Sequence, residues 1–433
     1  MSIIYNNLRL SEIPQSLNAV NLLNEISSNY PDAISFTSGS PCSESYGLEK
    51  YSQYINSFME INANRSMITN RSGYHVLGNY SSSGGFINAY IKQHLEADDQ
   101  IVVDTDDIVL TCGAQEAILL TLQALFKDKH GSLVIVSPFY SGVDGAAKLL
   151  EIDTYYVNET NDGVDIESFA NLIDEFEGTS KEIKVIYCTP NFSNPSGTLM
   201  SDTSKQSLIS LCRTRGILII EDNTYGHIGY DIPVSPLKYW DDSNNVIYIS
   251  SFSKTMCPGV RVGYVVAGQK IKVGSSVLKL SKIISTYKSL GSNHVPGLIQ
   301  AFIAGALEEN DFSVRKIISQ KVKVYKEKRN YLDQCLKEMF GDKPGYNWTV
   351  PDGGFFSILT LPFLVDEDDM NYCAKTFGVI WLPMSLFTVN KEQTNKIRLS
   401  FSNVSLEQIN MGVKKLSNFI EYKTKGVISE VQL

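Results

Sequence analysis

The chain has 433 residues, 43% of them hydrophobic and 20% charged, with a formal net charge of −9 and an isoelectric point near 5.2. That length exceeds one ordinary core, so two domains are expected, and the composition is ordinary for a soluble globular protein. An acidic chain speaks against a nucleic-acid partner, whose phosphates need clustered Lys and Arg, and no run of about 18 apolar residues is present to span a membrane.

The N-terminal stretch MSIIYNNLRLSEIPQSLN turns polar after four residues and lacks the basic-then-apolar pattern of a signal peptide, so a cytoplasmic location is expected. The cysteines, Cys42, Cys112, Cys188, Cys212, Cys257, Cys335 and Cys373, are scattered without a CxxC pair and read as reduced, buried thiols. The histidines, His75, His94, His130, His227 and His294, show no zinc-binding spacing, so no metal is expected.

In chain order, short apolar runs predict strands at Ile108–Thr111, Leu133–Val136, Lys184–Cys188, Ile217–Glu221, Val246–Ser250 and Val262–Ala267. Helical periodicity lies between them, at about 114–127, 141–150, 164–176 and 202–214. Nearly all-apolar strands alternating with amphipathic helices predict an α/β fold, a mostly parallel sheet covered on both faces. After Ser289 come a helix at His294–Glu309 and one long helix at Phe312–Phe340, then short strands at Phe355–Thr360, Val379–Leu382 and Lys396–Phe401 and a last helix at about 405–422. This second region predicts a smaller α/β layer. The expected division is 1–50 as an N-terminal segment packing with the small domain, 51–293 as the large domain, and 294–433 as interdomain helix and small domain.

In open α/β sheets, ligands bind beyond the carboxyl ends of the strands. After the first strand, Gly113-Ala114-Gln115 opens a helix whose free N–H groups suit an anion; many strand–helix turns look alike. Tyr140, after the next strand, either stacks on a flat ligand or belongs to the core. Thr189-Pro190-Asn191-Phe192-Ser193-Asn194-Pro195-Ser196-Gly197 has the composition of a tight turn. Asp222 ends an apolar strand, where a carboxylate is costly without a partner; a protonated ring nitrogen or a helix N-terminus would serve. Lys254 stands at the mouth of a buried strand, and desolvation would make it a usable nucleophile. Ser251, Ser253 and Arg261 around it make a second anion cradle. Arg398, inside the run Ile397–Phe401, needs a carboxylate from the protein or a substrate.

The segments TPNFSNPSG, IIEDNTY, SSFSKTMCPGVRVGYV, PDGGFF and IRLSFSNVS, in this order, resemble the motifs of class I and II aminotransferases, over about residues 34 to 422. The resemblance is nearest the branch holding 2-aminoadipate and kynurenine aminotransferases and the effector domains of pyridoxal-phosphate (PLP) dependent transcription regulators. It implies fold type I, PLP as cofactor, and ping-pong transfer between an amino acid and a 2-oxo acid. Lys254 then matches the lysine that carries PLP and shuttles the proton, and Asp222 the acid facing the pyridine nitrogen. Tyr225 and Asn194 match the partners of the ring hydroxyl, and Tyr140 the stacking aromatic. Ala114, Gln115, Ser251, Ser253 and Arg261 match the phosphate cup. Tyr80, in GNYSSSGG, matches a tyrosine that reaches the neighbouring subunit's phosphate, which implies a homodimer with shared sites. Arg398 matches the clamp on the substrate α-carboxylate, with Gly39 and Asn194 beside it.

The chain departs from the family at Ala114, where a hydroxyl residue is common, at Asn223-Thr224, and at Met384, where glycine commonly follows the proline. Tyr74 and His75 are candidate pocket residues; His227 and His294 read as structural. Another PLP reaction on the same fold (elimination, cyclisation or oxidation) shares these motifs and stays open. A regulatory effector domain is disfavoured, because about thirty residues precede ISFTSGSP, too few for a winged helix-turn-helix.

Overall fold

The apolar runs in the middle of the chain assemble side by side into one eight-stranded sheet. The computed structural model describes residues 28–42, 47–64, 77–126, 130–389 and 393–431. Ahead of the sheet come β1 (Ile34–Ser35), α1 (Tyr51–Asn64) and α2 (Asn88–Asp99). The alternating region runs β2 (Ile108–Thr111), α3 (Ala114–Leu125), β3 (Ser132–Ser137), α4 (Ser141–Leu149), β4 (Asp153–Thr160), β5 (Gly163–Val164), α5 (Ile166–Phe176) and β6 (Ile183–Cys188). It continues with α6 (Asp202–Arg215), β7 (Leu218–Asp222), β8 (Val246–Ser251) and β9 (Gly263–Val266).

In space the strands lie in the order β2-β9-β8-β7-β6-β3-β4-β5. From β4 through β3, β6 and β7 to β8 every pairing is parallel, while β9 is antiparallel to β8 and β2. Strands such as Ile-Val-Leu-Thr in β2 are buried along their whole length because helices cover both faces of the sheet. The helices start and stop where their caps are. Ser201 accepts the Ser204 N–H at the start of α6, and Gly216 ends it in the left-handed region at φ 65°.

Beyond β9 come a hairpin of β10 (Lys270–Val273) and β11 (Ser276–Lys279), then α7 (Leu280–Ser289), α8 (Gly297–Glu308) and α9 (Val314–Phe340). Pro296 fixes the start of α8 a few residues after His294, where the periodicity had suggested it. The C-terminal layer holds β12 (Asn347–Trp348), β13 (Phe356–Val365), α10 (Glu367–Phe377), β14 (Val379–Ile380), β15 (Leu382–Pro383), β16 (Thr394–Ser400) and α11 (Leu406–Val431). Strands β12-β13-β16-β15 form an antiparallel sheet, and β1 pairs in parallel with β14 through Ile34↔Val379 and Ser35↔Ile380. The final helix extends past residue 422 to Val431. Strand β4 and the β10–β11 hairpin were not foreseen from the sequence: β4 mixes Asp, Thr, Asn and Glu with its apolar residues, and much of it is only half-buried.

Candidate active site

Lys254 sits in a tight turn just beyond β8. The turn is closed by backbone hydrogen bonds from Phe252 N to Val262 O (2.9 Å) and from Met256 N to Phe252 O (2.8 Å). Its ammonium donates to the Gly39 carbonyl at 2.8 Å and lies 5.9 Å from the centre of the Tyr225 ring. Burial, then the positive charges of Arg261 and Arg398, push Lys254 down to about 8, against the opposing pull of Asp222. A lysine in this state is an available nucleophile near neutrality.

Asp222 is the last residue of β7 and is buried. The Tyr187 hydroxyl donates to its Oδ2 at 2.7 Å, and the Thr224 N–H and hydroxyl donate to its Oδ1 at 3.0 and 2.6 Å. Its Oδ1 thus closes a short turn at the strand end, which holds the carboxylate toward the cavity. Tyr225 stands on the same loop with its ring edge-on to Phe355 and Phe356. Burial raises the Tyr225 phenol well above its ordinary range, although Arg398 opposes this, so the phenol keeps its proton and remains a donor. Burial, with Asp222 adding to it, pushes Tyr140 up to about 12.

The start of α3 and the turn after Lys254 make one cradle. Arg261 donates to the Cys112 carbonyl at 3.0 Å and reaches the Ser253 hydroxyl at 3.3 Å. The Ser251 hydroxyl oxygen is 3.0 Å from that of Ser253 and 3.1 Å from the Val262 carbonyl, to which it donates. Two glycines permit this closeness: a Cβ on Gly113 (φ +87°) would lie 2.4 Å from the Arg261 guanidinium, and one on Gly263 would lie 2.9 Å from the Ala114 nitrogen. Gln115 donates to the Gly142 carbonyl at 3.0 Å, while its buried Oε1 has no partner among the described residues. A helix N-terminus, two hydroxyls and a guanidinium on one wall suit an anion.

Arg398 projects from β16 and is 3% exposed. It donates to Asn194 Oδ1 at 2.8 Å and to the Thr37 carbonyl at 2.6 Å, between the rings of Phe356 (4.3 Å) and Phe387 (4.7 Å). Burial lowers it to about 10. Among the described residues no carboxylate pairs with it. Gly39 lies over this corner, where a Cβ would meet Phe356 and the Tyr225 hydroxyl at 3.4 Å.

One cavity is lined by Ala114, Gln115, Tyr140, Asn194, Asp222, Tyr225, Ser251, Ser253, Lys254 and Arg261, with Gly39 and Arg398 at its edge through Lys254 and Asn194. Thr189 and Thr224 complete the lining, and Tyr187 supports Asp222; sequence reading missed these three. The spacing Asp222-x-Thr224 was an available signal for a carboxylate-closed turn; Tyr187 carried none, being one more large residue in a buried strand. Tyr80 is not brought to this cavity within the chain: it is 88% exposed, with its ring edge-on to His294. Met384 is buried in the turn after β15 and is not part of the lining. Tyr74 and His75 lie outside the described residues. An anion cradle, a buried carboxylate, a tyrosine and a lysine on one cavity fit a flat ring carrying a phosphate arm, and the fold around them is that of fold-type-I PLP enzymes.

Comparison with known proteins makes the class more specific. The family described as aminotransferase class I and II matches residues 44–416. The (S)-3,5-dihydroxyphenylglycine transaminase of Amycolatopsis orientalis is 34% identical over 405 residues, covering 94% of this chain and 92% of that protein. Aromatic-amino-acid aminotransferase 1 of Thermococcus litoralis is 27% identical over 397 residues, covering 91% of this chain and 89% of that one. The solved multiple substrate aminotransferase of Thermococcus profundus superposes with a TM-score of 0.79 at 25% identity, over 97% of this chain and 96% of that chain. The chain belongs to the class I and II aminotransferases, PLP enzymes that move an amino group between an amino acid and a 2-oxo acid.

Proposed function

We propose that this aminotransferase works through Lys254, Asp222 and Arg398 in one site. Bound there, PLP supplies an electron sink for the pair released when the substrate Cα–H bond breaks. Lys254 Nζ would hold the cofactor at rest and, when free, would move the proton from the substrate Cα to C4′ of the cofactor. Asp222 keeps a proton on the ring nitrogen. Tyr225 and Asn194 hold the ring hydroxyl, and Tyr140 covers one ring face. Ala114 and Gln115 at the α3 start, with Ser251, Ser253 and Arg261, hold the phosphate. Arg398 receives the substrate α-carboxylate, with Gly39 and Asn194 beside it. The observation that carries this reading is a buried lysine, brought to about 8, on the same cavity as a buried carboxylate and an anion cradle.

The wider reading is a homodimer in which Tyr80 serves the neighbouring site, located in the cytoplasm, with residues 51–293 as large domain and 1–50 together with 294–433 as small domain and interdomain helix. The exposed Tyr80 ring supports the first part, and the β1–β14 pairing supports the last. Elimination on the same fold is the rival chemistry. The deciding experiment mixes PLP-loaded protein with a panel of amino acids and a 2-oxo acid acceptor. The panel starts from aromatic donors, after which two of the relatives are named. Transamination yields the donor's 2-oxo acid without ammonia and gives parallel double-reciprocal plots. Ammonia released in step with product would overturn it.

A further inference from the structure

Behind the loop that carries Asp222 and Tyr225 lies a buried polar cluster that the chemistry above leaves unused. Its centre is Asp99, the last residue of α2, 4% exposed. Arg315, on the first turn of α9, donates to Asp99 Oδ1 at 3.1 Å. The Tyr248 hydroxyl donates to Oδ2 at 3.1 Å, and His227 Nε2 lies 3.0 Å from the same oxygen. The chain of donors runs on: Asn223 Nδ2 donates to the Tyr248 oxygen at 3.0 Å, and Asn191 Nδ2 donates to Asn223 Oδ1 at 3.0 Å. The neighbouring Asp98 caps α9, accepting from the Ser313 hydroxyl at 2.6 Å and the Val314 N–H at 2.7 Å, with His94 Nδ1 at 3.1 Å. His94, Asp98 and His227 are close enough to hold a metal ion. The carboxylate of Asp98 is already taken by the α9 terminus and that of Asp99 by three side chains, which makes the cluster a set of ion pairs. Burial resists ionisation of Asp99, but His227, Arg315 and His94 outweigh it and hold the carboxyl below its ordinary range.

We propose that Asp99 is a positioning residue for the reaction: it anchors the loop from Asp222 to His227 at Asn223, through Tyr248, and at His227 directly, and ties both anchors to the start of α9 through Arg315. The proposal rests on the reading of Asp222 and Tyr225 as contacts of the cofactor ring. Asp222 has the backbone of β7 behind it, but after Asn223 the chain leaves the sheet and turns on itself through Gly226 N to Asn223 O (3.2 Å) and Ile228 N to Tyr225 O (2.8 Å). The turn is tight, for a Cβ on Gly226 would lie 2.0 Å from Asn223 Oδ1. Both anchors flank Tyr225, so their release would let its hydroxyl and the Asp222-Thr224 turn drift together. A carboxylate suits the hub because it accepts from three donors, two of them cationic or able to become so, and such charge-assisted bonds are the stronger kind.

The test uses Asp99→Asn and Tyr248→Phe. In the protein without added cofactor, hydrogen exchange of amides 223–228 should rise about tenfold or more in both variants, while exchange in β7 and β8 stays within about twofold. In the loaded enzyme kcat should fall about tenfold with KM within about twofold, as expected for lost alignment rather than lost substrate binding. Loop exchange unchanged from the parent, or raised equally in loop and strands, would overturn the proposal. If Asp99→Asn does not fold, Tyr248→Phe decides alone, since it removes one hydroxyl and keeps the ring. Asp222→Asn separates this proposal from the reading beneath it: near-normal turnover there would sink the ring-acid assignment, whatever the loop exchange shows.

Discussion

A guanidinium buried to 3% exposure that, among the described residues, has only an amide oxygen and a carbonyl to receive it, as at Arg398, is an incomplete arrangement. Its Nε is buried without a partner among the described residues, and it lies between two phenylalanine rings. A carboxylate arriving from a substrate would complete it in a two-pronged geometry that lysine cannot copy. Arg398→Lys should therefore raise KM for amino acids about 100-fold, roughly 2.7 kcal/mol, with little change in melting temperature. Simple amines lacking a carboxylate should be affected little. A variant that melts much lower and loses both substrate types alike would show the arginine to be structural. At this scale the sequence was informative wherever a charged or hydroxyl side chain ended an apolar run, as at Asp222, Lys254 and Ser251. It was silent where the partner is an ordinary core residue, as with Tyr187, or where geometry rather than residue type does the work, as with the Gly39 carbonyl on Lys254.

Among the elements, the strands that sequence reading found are those buried on both faces, because continuous apolar runs leave no ambiguity of period. Strand β4 escaped because its polar residues break that run. One of them, Glu159, lies beneath the turn that carries Asn194 and accepts from the Thr198 hydroxyl at 3.1 Å. Burial pushes Glu159 up to about 7, with the hydroxyls of Ser196, Thr198 and Ser193 opposing. A carboxyl raised in the folded state binds a proton more tightly there than in the unfolded chain. Its contribution to stability is therefore whole below the ordinary carboxylate range and is lost as pH rises toward 7. Glu159→Gln, which imitates the neutral form, should melt roughly 2 °C higher than the parent at pH 8 and equal it at pH 4. A melting difference that is the same at both pH values would contradict this account of the β4 carboxylate.

The whole molecule places the cavity at the carboxyl ends of β6, β7 and β8, where the parallel strands open toward the C-terminal layer. That position was legible, since Gln115, Tyr140, Asn194, Asp222 and Lys254 all follow predicted strand ends. The pairing of β1 with β14 had no signal of its own in the sequence, because a two-residue strand has no periodicity to read. Assembly is tested on the same scale. The exposed Tyr80 should find its role against a second copy, so sedimentation should give about twice 48.2 kDa. Tyr80→Phe should weaken cofactor retention about tenfold without dissociating the pair; a fully active monomer would end the shared-site reading. The central claim, a PLP aminotransferase acting through Lys254, is tested most directly by borohydride reduction of the PLP-loaded protein followed by peptide mass spectrometry. The predicted result is one modified peptide, carrying the cofactor's mass on Lys254, and none in Lys254→Ala. A cofactor fixed on any other lysine, or no fixation by a loaded and active enzyme, would contradict it.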